Sequence, residues 1–441
     1  MNDTAFGEAV IGKVRRRILP FLILCFFVAF LDRVNVGFAA LQMNGDLGFT
    51  PEVYGFGAGL FFIGYFVFEI PSNLALHRFG ARRWIARIMV SWGALAIAMA
   101  WVAGPTSFYA LRFLLGIAEA GFFPGVLLYM TYWFPAEARA RVMATFSLGS
   151  VVSLVIGAPL SGWILTATSG GGFRGWQWLF VLEGVPAVLL GVAAFVFMTD
   201  RPADAAWLTA DEKRWLSDTL AAEARAKAAE THMGALAALR DPRTVVLSLA
   251  AMLNIVAIYG ISLWLPQIIK AAGSLTNVET GVVTALPFFC TAVAMMINGA
   301  HSDRTDERRF HILLPALAGG CGFALAALSA SPALQLTGIC VAAMGIWCAN
   351  TVFWTVPMRI FSGVSAAASL GLINSVGNLG GFIGPYVTGW IRQTTGSFPA
   401  ALLLLGTSLA LFGIVVFAFL TVQERRKALP ANTGPASLRH V

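Results

Sequence analysis

Apolar runs of about 20 residues recur along this 441-residue chain, each long enough to cross the hydrocarbon of a bilayer as a helix. They fall at about 18–41, 53–76, 84–103, 107–131, 142–166 and 176–198, and, after a polar stretch, at about 244–269, 279–300, 310–330, 333–357, 366–391 and 398–422. Only 12% of residues are charged and 58% are hydrophobic, whereas a soluble globular chain carries about 25% charged residues. The spacing therefore predicts an all-α integral membrane protein with twelve transmembrane helices in two six-helix halves. An even number of crossings places both termini on one side.

Charge placement says which side. One set of loops holds Arg15 to Arg17, Arg78, Arg82, Arg83, Arg139, Arg141, Arg304, Arg308, Arg309 and Arg425 to Lys427. The alternate loops hold Arg174, with Lys270 and Arg392 near helix ends. Lysine and arginine are retained on the cytoplasmic side of a membrane, so both termini are expected there. The net charge of +8 is then topology and contact with anionic lipid, and nucleic acid is not an expected partner. The basic start, Lys13 to Arg17, is read as leading into a retained first helix, because the apolar run after it is too long for a signal peptide and contains Asp32-Arg33. The five cysteines lie in apolar runs without metal or disulfide spacing. No metal or cofactor is expected.

The halves carry traces of a repeat. His77-Arg78 and Asp303-Arg304 are 226 residues apart, and Gly162-Trp163 and Gly389-Trp390 are 227 apart. Two matches at nearly one offset indicate duplication. The expected organisation is a bundle at 1–198, a cytoplasmic, partly helical linker at 199–243, a second bundle at 244–423 and a cytoplasmic tail at 424–441.

Local motifs carry a family resemblance. The loop 73–83 resembles the major facilitator loop signature, although Asn73 replaces its first glycine and His77 its aspartate; the copy at 299–304 keeps Gly299, Asp303 and Arg304. Further motifs are Leu31-Asp32-Arg33-Val34-Asn35, Glu69-Ile70-Pro71-Ser72-Asn73, the run from Arg112 to Gly125, and Tyr132-Trp133-Phe134-Pro135. Together they resemble the anion:cation symporter branch of that superfamily across essentially the whole chain, with the first three segments most similar to tartrate transporters. The resemblance implies a proton-coupled importer of a small organic anion such as tartrate, a sugar acid or an aromatic acid, in a bacterial inner membrane; a monomer is expected.

Buried charges are the candidate site. Asp32 and Arg33 lie about 14 residues into the first segment, roughly 21 Å from its start, where a charge is costly unless it faces a cavity or a partner. Neighbours on a helix point about 100° apart, so the two need not pair with each other. Arg112 and Glu119 share a face of the fourth segment, about 10 Å apart along its axis. A purely structural ion pair between helices is the competing reading for all four. The resemblance implies that Arg33 and Arg112 clamp substrate carboxylates, which a guanidinium does bidentately, and that Asp32 and Glu119 carry protons. A carboxyl in a low dielectric favours its neutral form, and neutralising an acid beside an arginine would free that arginine for substrate.

Polar residues in apolar helices extend the list: Tyr65, Asn374, Asn378 and Trp354 as substrate contacts, with Asn350, Tyr259 and Ser150 as weaker candidates. Each also fits a packing role. Glu69, Arg78, Arg82, Arg83, Asp303, Arg304 and Arg309 lie near cytoplasmic helix ends and are expected to form a gate, with Glu137, Arg139 and Arg141 as partners. No nucleotide-binding or metalloprotease motif is present, which points away from an ATP-driven pump and from an enzyme. A proton-coupled exporter and a non-transporting sensor remain as alternatives.

Overall fold

The structure is a computed structural model that describes residues 3–168, 172–228, 240–361 and 363–428. The expected linker residues 229–239 and the tail from 429 onward lie outside the described residues. The first half comprises α1 (Asp3–Leu47), α2 (Pro51–Phe79), α3 (Ala81–Ala98), α4 (Pro105–Glu119), α5 (Phe122–Thr131), α6 (Ala136–Ala167) and α7 (Gly175–Phe197). A linker helix, α8 (Ala210–Ala228), leads to α9 (Pro242–Ala272), α10 (Asn277–Thr305), α11 (Arg309–Leu328), α12 (Pro332–Phe353), α13 (Thr355–Ile360), α14 (Gly363–Thr395) and α15 (Pro399–Ala428). Among the described residues, 11 helical spans are long and apolar enough to cross a membrane, α4–α5 and α12–α13 each counting as one. The remaining expected segment lies within the 33-residue α14.

Local chemistry sets the helix boundaries. Thr50 accepts from the Val53 amide at 3.2 Å, and Pro51 takes the first helical position of α2, where its missing N–H costs nothing. Thr276 and Glu279 cap α10 reciprocally. The fourth expected segment is broken between α4 and α5. Pro124 cannot donate to the Ala120 carbonyl four residues back, and its ring would clash with that oxygen. The chain turns at Gly121, with φ +85°, and Ser72 Oγ donates to the freed Ala120 carbonyl at 2.6 Å. Pro357 stands in the same relation to Phe353, where α12 gives way to α13.

The linker straps one face of the molecule. Lys13 in α1 pairs with Glu212 at 2.7 Å, Phe6 meets Trp215 edge-on at 6.4 Å, and Trp133 stacks on Trp207 at 5.4 Å. Desolvation opposes ionisation of Glu212, but the Lys13 ammonium and the Thr209 amide prevail and hold its carboxyl below the usual value. We call this side the linker face and the opposite one the far face.

Near the far face the halves touch backbone to backbone. A Cβ on Gly389 of α14 would lie 3.2 Å from the Gly55 Cα of α2, and a Cβ on Gly281 of α10 would lie 3.2 Å from the Gly162 Cα of α6. These are repeat-related contacts: Gly55 and Gly281 are 226 residues apart, Gly162 and Gly389 227. Tyr54 Oη donates to the Leu263 carbonyl at 2.8 Å, a further contact between the halves at the same end.

Candidate functional site

About two-thirds of the way along α1, Arg33 reaches across the interface between the halves. One guanidinium nitrogen pairs with Glu119 at the end of α4, and another donates to Tyr259 Oη of α9 at 3.2 Å. Arg33 and Tyr259 are separated by 226 residues, the repeat offset, so equivalent positions of the two halves face each other, charged on one side and neutral on the other. Phe61 of α2 contacts two cations: its ring centroid is 5.4 Å from the Arg33 guanidinium carbon and 5.1 Å from that of Arg112. Tyr65 presents its ring to Arg33 at 5.5 Å. Phe62 packs on Tyr259 at 4.3 Å and completes an aromatic wall.

Arg112 is 1% exposed, and its Nη2 donates to the Ala58 carbonyl at 3.0 Å. The Nε atoms of both Arg33 and Arg112 are buried without an acceptor among the described residues. Glu119 is paired by Arg33 and lies within electrostatic reach of Arg112, so two cations act on one carboxylate. The break at Gly121 places Glu119 at a helix end, against Arg33.

Asp32 is not part of this cluster. It accepts from Trp92 Nε1 of α3 at 2.9 Å and from Asn35 at 3.4 Å, inside the first bundle. The expectation that each acid sits beside an arginine is met in geometry by Glu119 alone. Asn374 is likewise elsewhere. Its amide donates to Glu69 at 2.6 Å, and Ser375 Oγ donates to the other carboxylate oxygen at 3.0 Å. Asn378, one turn on, also interacts with Glu69. Glu69 is 4% exposed, and this clamp joins α2 to α14 on the linker side of the interface. Its partners are neutral groups of the other half rather than the arginine-rich loop. Trp354 stands at the α12–α13 break against Phe353, Asn350 accepts from Asn254 at 2.8 Å, and Ser150 bonds its own helix at Ser147.

The expected loop gate also differs. Asp303 pairs with Arg308 at 2.7 Å within its own half, and Arg309 with Glu424 at 2.7 Å. The Arg82 amide donates to Asp200 at 2.9 Å, Arg78 lies over Phe79, and Arg83 and Arg304 are exposed. Arg139 pairs with Glu223 of α8 at 3.0 Å. Among the described residues no ion pair joins the two halves.

The model of the Major Facilitator Superfamily matches residues 22–385, which is most of the chain. The chain belongs to the Major Facilitator Superfamily. Two Agrobacterium vitis proteins named "Putative tartrate transporter" are each 47% identical over 425 residues, 96% of this chain and 94% or 96% of theirs. A quinolone resistance transporter of Acinetobacter baumannii is 41% identical over 97% of this chain and 98% of its own. The fold matches a crystal structure of a bacterial homolog to the human lysosomal transporter Spinster, inward-facing and unoccupied, with a TM-score of 0.72 at 18% identity over 95% of this chain and 99% of that one. The chain is a multi-pass transporter of this superfamily.

In this Major Facilitator chain one buried acid escapes a sequence reading. Glu183 of α7 is 1% exposed and accepts from Ser161 Oγ of α6 at 2.7 Å, while Asn35 links it to Asp32. Its signal was of the same kind as that of Asp32: a lone carboxylate in the run Leu182-Glu183-Gly184-Val185.

Proposed function

We propose that this transporter is a proton-coupled symporter that imports a small organic carboxylate, with tartrate or a related hydroxy or aromatic acid as substrate. The observation that carries the reading is Arg33, held by Glu119 and reaching Tyr259 across the interface of the halves, with a second buried guanidinium, Arg112, sharing the Phe61 ring. In the resting site Glu119 occupies the arm of Arg33 that a substrate carboxylate would need. A proton on Glu119 releases that arm, and the two arginines then offer two positive charges to a dianion. When the site opens to the cytoplasm and rehydrates, Glu119 loses its proton, reclaims Arg33 and displaces the substrate. The 47% identity of the Agrobacterium vitis relatives supports a tartrate-like substrate.

The remaining roles belong to the same proposal. Asp32, linked through Asn35 to Glu183, is the second proton carrier, within the first bundle. Tyr65 and Tyr259 line the anion site. Asn374, Asn378 and Trp354 serve substrate when the Glu69 clamp opens, and Glu69 with Arg78, Arg82, Arg83, Asp303 and Arg304 controls the linker-face gate. That gate faces the cytoplasm, as do both termini, and the domains divide at 1–198, 199–243, 244–423 and 424–441. The transporter works in the bacterial inner membrane as a monomer. One charge crossing the membrane is worth about 2.3 kcal/mol per 100 mV, so a dianion needs two protons for electroneutral entry.

Export is the second reading, favoured by the relative named as a quinolone resistance transporter. Paired buried arginines suit an anion better than a cationic or neutral drug. Accumulation of radiolabelled tartrate by energised cells that express the chain separates the two. Import requires saturable uptake abolished by an uncoupler; absence of uptake together with drug efflux would overturn it.

A further inference from the structure

Three cations break the rule that keeps lysine and arginine off the far side: Arg174, Lys270 and Arg392. Arg174 is neutralised, since it pairs with Asp46, which also accepts from Trp176 Nε1 at 2.8 Å. Lys270 and Arg392 have no such partner among the described residues. The Lys270 ammonium donates to the neutral Asn277 side chain, and the Arg392 guanidinium lies 4.7 Å from the centroid of the Phe398 ring. Both are half-buried.

These two cations line the same cavity, of about 400 Å³, within the range of small-molecule sites. Asn44, Gln267, Pro51 and Trp264 share its walls, and no aspartate or glutamate lines it among the described residues. Its polar lining offers two cations and two amide side chains. Beside the two cations, Gln267 Nε2 is a buried donor without an acceptor and Asn44 Oδ1 a buried acceptor without a donor, among the described residues. Gln267 also accepts weakly from Asn44 Nδ2 at 3.4 Å, which fixes the two amides side by side. The walls come from both halves, α1 and α2 on one side, α9 and α14 on the other. The glycine contacts of Gly55 with Gly389 and the Tyr54–Leu263 bond lie inward of it, so the cavity is the vestibule in front of the closed far-face gate.

We propose that this vestibule is an outer capture site for a small hydroxylated organic dianion, held between Lys270 and Arg392 before the gate opens. The identity of the ligand class rests on the anion-transport reading given above; the site itself rests on the cavity and its uncompensated cations. Cations clustered in a cleft raise the local concentration of anions and their association rate, and salt weakens the effect. The site also accounts for two positive charges retained on a side that otherwise excludes them.

The test uses the full-length chain in membranes and a membrane-impermeant maleimide applied to the far face. Ala271→Cys places a thiol at an exposed position on the cavity wall, and its labelling rate is measured with and without tartrate, against the parent chain. Tartrate at about twice its dissociation constant should slow labelling about threefold, equally in an Arg112→Gln background, and protection should vanish with Lys270→Gln plus Arg392→Gln. In uptake, that double variant should raise KM at low salt with kcat unchanged, and high salt should erase the difference from the parent. Protection that survives loss of both cations, or that disappears with Arg112→Gln, would mean tartrate acts from the central site and would overturn the proposal. Saturable uptake without any protection would overturn it too, while leaving the transport reading intact. Protection without uptake would support the vestibule and sink tartrate import instead.

Discussion

A lysine at position 33 would keep the charge and lose the geometry. The Arg33 guanidinium engages Glu119 and Tyr259 through different nitrogens, which a point-like ammonium on a flexible stem does not reproduce. A hydrogen bond to a charged group contributes about 1.5–3 kcal/mol, so Arg33→Lys should lower kcat/KM for tartrate uptake by about 10- to 100-fold. Initial-rate uptake measures it, and near-normal transport by the lysine variant would contradict the clamp. At this scale the sequence was informative wherever charge interrupted an apolar run. Asp32, Arg33, Arg112 and Glu119 stand out because a membrane tolerates such residues only with partners. Their partners were not legible. Whether Asp32 turns to Arg33 or to Trp92 depends on the rotation of α1 against α3, which local spacing does not encode. For the same reason Glu69 was expected to meet the arginine-rich loop and instead meets Asn374 and Ser375.

The break between α4 and α5 puts Glu119 where Arg33 can reach it. A continuous apolar run reads as one helix, and the segment at 107–131 was expected to be one. The contrary signal was Pro124 four residues after Ala120, together with a glycine able to turn the chain. Gly121 has φ +85°, and a Cβ there would come within 2.7 Å of the Ser72 Cβ. Gly121→Ala should therefore destabilise the protein by about 1–2 kcal/mol from backbone strain alone, with a further penalty from displacing Ser72 off the Ala120 carbonyl. Thermal unfolding in detergent reads the loss, and uptake should fall with it. A variant as stable and active as the parent would show that the left-handed turn is dispensable. Helix ends outside the membrane carry their capping chemistry locally, at Thr50-Pro51, Asp241-Pro242 and Thr276 with Glu279.

Across the whole molecule, duplication organises the transporter. The offset of 226–227 residues found in two loop and helix motifs reappears in space as the paired glycine contacts of the far-face gate and as Arg33 opposite Tyr259. Twelve crossings and two halves were legible because hydrophobic length and charge alternation are global signals that no single contact can disturb. Which face is closed was not, because it depends on how the halves rock. Gly389→Val should hinder closure, since a Cβ there would come within 3.2 Å of the Gly55 Cα and 3.1 Å of Trp264. Spin labels at Ala103 and Ser331, on far-face loops of the two halves, should move apart in that variant, and uptake should fall. Unchanged distances would remove the glycine pair from the gate. The central claim is that Glu119 couples the proton to Arg33 and the anion. Reconstituted into proteoliposomes, the parent chain should accumulate labelled tartrate when an inward pH gradient is imposed. The Glu119→Gln variant should show no gradient-driven accumulation yet still exchange internal for external tartrate. Accumulation by Glu119→Gln at the parent's level under the same gradient would contradict the account.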